Sequence, residues 1–327
     1  MITRYTSRFF VASLGFFIFS SAVMASESAH AWLAKINEAA RHLEYEGIFI
    51  YQHDGQLESM HIFHKVENGS AKERLVSLNG TPREIIRDSK EVRCYWPDMK
   101  SVVVEYRKAD NKNFPSLLPE HLGDLDEYYN LQTGGTDRVA NRQAQLVLVR
   151  PADDYRYGYH LWADKQTGLL LKADLVDTKG NVLEQFMFTQ VNIGAKIPDT
   201  ALSPGVQGEG MVWYREGQDD DSKSASALPE WAATRLPKGF RLSMRVTRRV
   251  ALRNRPVEHL VYTDGLATVS VFVEKQDKDA KPFMLGPSRM GALHALGVRV
   301  DNYQITTVGE APAETIALIG GSVAPAH

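Results

Sequence analysis

Six arginines fall between Arg241 and Pro256, in RLSMRVTRRVALRNRP, within a chain whose formal charge is only -2. A guanidinium keeps its charge and grips carboxylate or phosphate in a two-pronged fork, so this stripe suits an anionic partner. On a strand, Arg241, Arg245 and Arg249 share one parity and one face, joined by Arg253 and Arg255 if the register holds through a turn, with Arg248 opposite. The competing reading is a solvated face that guards a sheet edge. Other reactive groups form no recognisable centre. The chain has no HExxH, CxxC, GxSxG, P-loop or GxGxxG. His61 and His64 are three apart in LESMHIFHKV, which on a strand sends them to opposite faces. Asp219, Asp220 and Asp221 read as a solvated acidic run, TPRE from Thr81 as a turn, and Ser288 in GPSRMG has no base at recognisable spacing. With no activated nucleophile or carboxylate pair, the residues predict neither a catalytic site nor a metal or cofactor site, and a binding protein rather than an enzyme.

The N-terminus decides which partners the arginines meet. Arg4 and Arg8 precede an apolar run through LGFFIFS, and Ala22-Val23-Met24-Ala25 puts small residues where a signal peptidase reads. The run is short of the roughly 20 residues of a spanning helix, so a signal peptide cleaved after Ala25 is expected. An exported chain argues against nucleic acid as the partner. Cys94, in EVRCYW, is the single cysteine, so no intramolecular disulfide forms and packing must supply stability. Its neighbours Val92, Tyr95 and Trp96 predict an inert strand position.

The elements that hold these residues are mostly strands. SESAHAWLAKINEAARHLE predicts a helix, capped by Ser26 or Ser28, with Ala29, Trp32, Leu33, Ile36, Ala40 and Leu43 on one face. From Tyr45 short extended runs alternate with turn pairs such as Asp54-Gly55, Asn79-Gly80 and Lys179-Gly180. That pattern predicts a large antiparallel sheet, open or partly rolled. SLLPEHL, within Arg107 to Asn141, is expected to be a short helix or lid. The expected division is 1–25 signal peptide, 26–205 first domain, 206–228 Gly-, Ser- and Asp-rich linker, and 229–322 second domain. In the second, Val269, Val271 and Val273 alternate with polar or outward positions, and APAETIALIGG predicts a C-terminal helix.

Several strands of the first domain are apolar on both faces: Ile48 to Tyr51, Val102 to Val104, Leu146 to Val149, and Phe186 to Phe188. A sheet with one wet face should alternate. The expectation is that the helix covers one face, while loops, the second domain or a hydrophobic ligand cover the other.

Four blocks, YEGIFIYQHDGQ, RLVSLNGTPREIIRDSKEVRCYWPD, LPEWAATRLPKGFRL and PVEHLVYTDGLATVSVFVE, resemble the RseB/MucB family of periplasmic sigma-E regulatory proteins, in order and across both domains. The resemblance implies a mainly β (α+β) fold: an antiparallel half-barrel like that of lipoprotein carriers with helices against it, then a smaller α+β domain. It implies a non-catalytic periplasmic negative regulator that binds the periplasmic domain of a membrane-spanning anti-sigma factor and shields it from proteolysis. Lipopolysaccharide or the acyl chains of mislocalised lipoprotein would release it, and self-association is expected. Arg241, Arg245, Arg248, Arg249 and Arg253 become candidates to hold the partner. Phe49, Tyr51, Trp96, Val103, Trp162 and Phe186 become candidates for the apolar cavity, although strand parity does not say which face is concave. The alternative is a periplasmic lipid or lipoprotein carrier.

Overall fold

The computed structural model describes residues 27–106, 125–206, 208–216, 230–250, 255–277 and 284–326. The signal sequence, the SLLPEHL segment, most of the linker and Arg253 lie outside these residues.

Helix α1 (Ala29–His42) starts where Ser28 Oγ accepts the Ala31 amide at 3.2 Å. It buries the face expected of it, with Trp32, Leu33 and Ile36 at most 5 % exposed. Arg41 and His42 in its last turn suit the negative end of the helix dipole.

Strands β1 (Tyr45–His53), β2 (Gln56–Glu67), β3 (Ser70–Ser77), β4 (Glu84–Arg87), β5 (Glu91–Trp96) and β6 (Ser101–Tyr106) run as a meander. A second meander holds β7 (Tyr129–Val139), β8 (Arg142–Pro151), β9 (Gly158–Asp164), β10 (Leu170–Val176) and β11 (Val182–Ile193), and β12 (Val212–Glu216) follows. The order across the sheet is β12-β6-β5-β4-β3-β2-β1-β11-β10-β9-β8-β7. β1 and β11 thus join the two meanders, and β7 and β12 remain unpaired to each other, so the sheet is an unclosed half-barrel. Every pairing is antiparallel except β12 on β6, which is parallel. The β1–β2 hairpin turns at Asp54 (φ 46°) and Gly55 (φ 73°), the left-handed pair that matches strand twist.

The sheet bends around α1, which packs on β3 as well as on β7, β8 and β10, strands far apart in the order. At Gly47 the neighbouring strand comes close. A Cβ there would meet Gln190 O at 2.6 Å and the Phe188 ring at 2.8 Å, and the β1–β11 register slips at Ile48/Phe49. As expected, the helix covers one face of the sheet, but that is the concave face, where it packs in one cluster with Phe49, Ile62, Phe186 and Phe188 and leaves part of the same face open.

The second domain carries β13 (Trp231–Ala233), β14 (Arg241–Val250), β15 (Arg255–Thr263), β16 (Thr268–Lys275), β17 (Gly286–Met290), β18 (Leu293–Val300), β19 (Tyr303–Gly309), helix α2 (Ala313–Gly320) and β20 (Val323–Pro325). Six of these strands form a sheet in the order β14-β15-β16-β19-β18-β17, and β13 pairs with β20. Val269, Val271 and Val273 are fully buried against Trp231, Leu260 and Ile316, as their alternation predicts.

Candidate functional site

On the concave face, the part α1 leaves open is a cavity of about 300 Å³. Phe49, Met60, Leu75, Ala173 and Phe186 form its floor and are at most 6 % exposed. Phe49, Phe186 and Phe188 meet edge to face, with Phe49–Phe186 centroids 5.1 Å apart and Phe186–Phe188 5.2 Å. Half-buried Tyr51, Ile85 and Tyr159 form the walls.

The mouth is polar and acidic. Among the described residues, Glu58, Glu184 and Glu310 line it beside one guanidinium, Arg83, which donates to Glu58 Oε2 at 2.7 Å. The Tyr51 hydroxyl donates to Glu184 Oε2. Burial pushes the Tyr51 phenol far up, and the Glu184 hydrogen bond and the Glu184, Glu310 and Glu58 charges add to it. Burial also raises Tyr159, with Glu310, Asp264 and Glu184 contributing. Glu310 follows β19, so the second domain supplies part of this mouth.

Of the residues expected to form a cavity, Phe49, Tyr51 and Phe186 line it. Trp96 and Val103 do not. The register Ile62↔Leu75↔Ile85↔Cys94↔Val103 places them on the same sheet face, but on β5 and β6, away from the opening. Trp162 is on the reverse face, because its neighbour Leu161 pairs with Ala173 and takes the inward parity. Lys172 Nζ covers its ring at 4.1 Å from the centroid. The sequence reading missed Met60, Leu75 and Ile85. Aligning MHIF of β2 with RLV of β3 across their turn would have found the first two. Nothing local marks Glu310.

A second polar centre joins the domains. The turn after β15 is folded by Asp264 Oδ1, which accepts the Leu266 and Ala267 amides at 2.9 and 2.8 Å, while Gly265 takes φ 106°. This leaves Oδ2 directed at the first domain, where Arg156 Nη1 donates to it at 2.8 Å and the Tyr129 hydroxyl at 3.0 Å. Both side chains of the Arg156–Asp264 pair are 0 % exposed. Arg156 also donates to Asp153 and to the Lys238 carbonyl, and stacks between Tyr128, Tyr129 and Phe240 at 5.0–5.5 Å. Burial raises the Tyr129 phenol, with the Asp264 charge adding to it. Leu266, 2 % exposed, packs in the hydrophobic cluster of the first domain. Nearer the cavity, the Tyr157 hydroxyl lies 3.2 Å from His294 Nδ1, and Thr315 Oγ1 donates to the Tyr155 carbonyl at 2.6 Å.

The arginine stripe is not one face. A bulge between Leu242 and Met244 breaks the parity: Arg241 sits opposite Thr263, while Arg245 sits opposite Leu260, a core residue. An extra residue in one strand reverses every side chain beyond it. Arg245 Nη1 lies 3.2 Å from Glu258 Oε1 and 3.6 Å from Glu230 Oε2. Burial raises the Glu258 carboxyl, and Arg245 opposes that rise. Arg241 is exposed. Arg248 and Arg249 fall opposite Val257 and Pro256 in the ladder, and their side chains lie outside the described residues.

His61 and His64 are on opposite faces, as expected: His61 Nε2 faces Glu46 at 3.0 Å, while fully buried His64 places Nδ1 at 2.8 Å from the Leu43 carbonyl. Cys94 is on β5 as predicted but only half-buried, and burial raises its thiol. Among the described residues, no three His, Cys, Asp or Glu side chains are grouped to hold a metal, and no helix is long and apolar enough to cross a membrane.

Comparisons with known proteins follow this two-domain division. The MucB/RseB N-terminal domain family matches residues 28–206, and the MucB/RseB C-terminal domain family matches 225–324. The sigma factor AlgU regulatory protein MucB of Pseudomonas aeruginosa is 33 % identical, with 93 % of this chain and 94 % of that protein covered. The sigma-E factor regulatory protein RseB of Escherichia coli K12 is 27 % identical, with 94 % of each covered. A crystal structure of MucB in complex with MucA(peri) is 30 % identical and superposes with a TM-score of 0.69, over 91 % of this chain and 99 % of that one. A second, the Pseudomonas aeruginosa MucA/MucB complex, is 31 % identical with a TM-score of 0.70, over 91 % and 99 %.

Proposed function

The chain belongs to the MucB/RseB family, and from that premise we propose that it is a non-catalytic periplasmic negative regulator of a sigma-E-type envelope stress response. It binds the periplasmic part of a membrane-spanning anti-sigma factor and shields it from proteolysis. Lipopolysaccharide or the acyl chains of mislocalised lipoprotein enter the half-barrel and release the partner. The observation that carries the reading is that relatives spanning both domains are known as complexes with MucA.

The working site is an apolar cavity whose mouth is shared by two domains, which suits a sensor better than a catalyst. Phe49, Tyr51 and Phe186 belong to the lipid site, and Trp96 and Val103 extend the same face toward β12. In the second domain, exposed Arg241 and the register positions of Arg248 and Arg249 remain the partner-facing candidates, with Arg253 beyond them. Arg245 serves the fold first, through Glu258. Export puts the protein in the periplasm, with cleavage after Ala25, and it associates with itself.

Calorimetric titration of residues 26–327 with the periplasmic segment of the cognate anti-sigma factor, at low and high salt, tests this. Tight binding that weakens with salt supports an arginine-mediated contact. Tight binding indifferent to salt keeps the regulator and moves the contact to apolar surface. Absence of binding at both salts overturns the regulator. The carrier reading is favoured by one observation, the cavity itself, and would then stand first.

A further inference from the structure

We propose that β12 is an interface strand, and that β12 of a second copy of this chain pairs with it, antiparallel, about a two-fold axis. The inference rests on the reading that the protein associates with itself, and it names the surface that does so.

The two large sheets end in four edge strands, and three of these carry a device that discourages strand addition. β7 bulges between Thr133 and Thr136, at Gly134-Gly135, and runs on into Asp137 and Arg138. β14 is crowded with arginines, and β17 holds Pro287. β12 has neither bulge nor proline. It opens on Val212, Trp213 and Tyr214, which are 55, 40 and 57 % exposed. Among the described residues, no strand pairs with its outer side.

Backbone polarity selects what fits there. Val212 donates its amide to the Lys100 carbonyl at 2.8 Å, so Val212, Tyr214 and Glu216 turn their polar groups toward β6. By alternation Trp213 and Arg215 turn theirs outward, offering two donors and two acceptors at strand spacing. A second β12, run antiparallel through Tyr214, matches all four. That register sets Trp213 opposite Arg215 of the other copy, twice, as hydrogen-bonded pairs. Tyr214 then meets its own counterpart in the closer position that carries no hydrogen bond. Arg215 already lies over its own Trp213 ring, 5.4 Å from the centroid, and the register brings the other copy's ring to the same face. Because one patch meets itself, the assembly closes as a dimer and does not grow into a fibre.

The pairing also extends the concave face. Tyr214 sits opposite Val103 in the ladder and Val212 opposite Ser101, which pairs with Trp96. Val212 and Tyr214 therefore share the face of Trp96 and Val103. Two half-barrels joined at β12 make one apolar trough, with a Tyr214 from each copy at its centre.

Sedimentation velocity of residues 26–327 over a concentration series tests this. Arg215→Pro removes an outward amide and spares the β6 ladder, so it should weaken self-association at least about tenfold with the circular dichroism unchanged. Tyr214→Lys sets like charges face to face and should weaken it similarly. Mixing Tyr214→Lys with Tyr214→Glu should restore association, because position 214 meets itself only in this register. Should Arg215→Pro unfold the edge, the Tyr214 variants decide alone. Undiminished self-association in the variants overturns the β12 interface and leaves the self-association reading standing, whereas a wild-type chain monomeric at every concentration overturns both. Weakened association that the mixture does not restore overturns the two-fold register. Loss of anti-sigma binding in Arg215→Pro with self-association intact gives the edge to that partner and overturns the second copy.

Discussion

Replacing Asp264 by Asn should loosen the joint between the domains while leaving each core in place. The side chain is fully buried and gives one oxygen to its own turn and the other to Arg156 and Tyr129. Asparagine keeps an acceptor for the Leu266 and Ala267 amides but removes the charge. Arg156 is then left with Asp153, whose side chain is 31 % exposed, and the Lys238 carbonyl. Breaking a buried pair by removing one partner costs about 3–5 kcal/mol. The retained turn bonds put this change at the lower end, about 3 kcal/mol, or somewhat over a hundredfold in the equilibrium that separates the domains. Urea unfolding of the full chain, followed by tryptophan emission and by amide exchange on β14–β16, should move from one transition toward two. A cycle with Arg156→Met isolates the pair, because the double variant leaves no orphaned charge. A coupling of about 1.5–3 kcal/mol is expected, and additivity within about 0.5 kcal/mol would refute the argument that this contact ties the domains.

Other perturbations follow from the same geometry. Gly239→Ala places a Cβ 2.5 Å from the Tyr128 ring at φ +86°, so it should destabilise the joint by more than about 1 kcal/mol in thermal unfolding, where Gly55→Ala, in open space, pays only the backbone strain. Arg245→Glu should destabilise the second domain itself, because it sets a third carboxylate beside Glu258 and Glu230; Arg241→Glu should leave the melting temperature unchanged. Glu258 gives a pH signature. Burial holds its folded carboxyl above the ordinary 4.5, so between that value and the raised one the folded state binds more protons than the unfolded. Stability must then fall as pH rises through that window, and Glu258→Gln should flatten the slope in urea titrations across it.

The elements themselves were readable from periodicity. The spacing of Trp32, Leu33 and Ile36 gave α1, and the alternation of Val269, Val271 and Val273 gave a core strand, because these patterns depend on local geometry. The stripe from Arg241 to Arg249 failed where a single unpaired residue near Ser243 reversed the parity, and no residue type there announces a bulge. Trp162 failed for a related reason: β9 is buried on both faces, so apolarity could not choose a side. Asp264-Gly265 is a turn pair of the same kind as Asp54-Gly55. Its other role depends on Arg156, 108 residues away, and exists only once two domains dock.

Leu266 and Asp264 make the second domain a component of the first domain's interior. A fragment ending at the linker would keep the half-barrel strands but carry an open socket where Leu266 sat, and it would expose Arg156, which keeps Asp153 but loses Asp264, the Lys238 carbonyl and the Phe240 ring. Such a fragment should gather water and loosen α1 and β7 before any ligand is added, so a lost function in it would report a damaged scaffold and not the location of a site. Dissection of the two halves is therefore better done in the intact chain, by loosening the joint with Asp264→Asn, than by truncation.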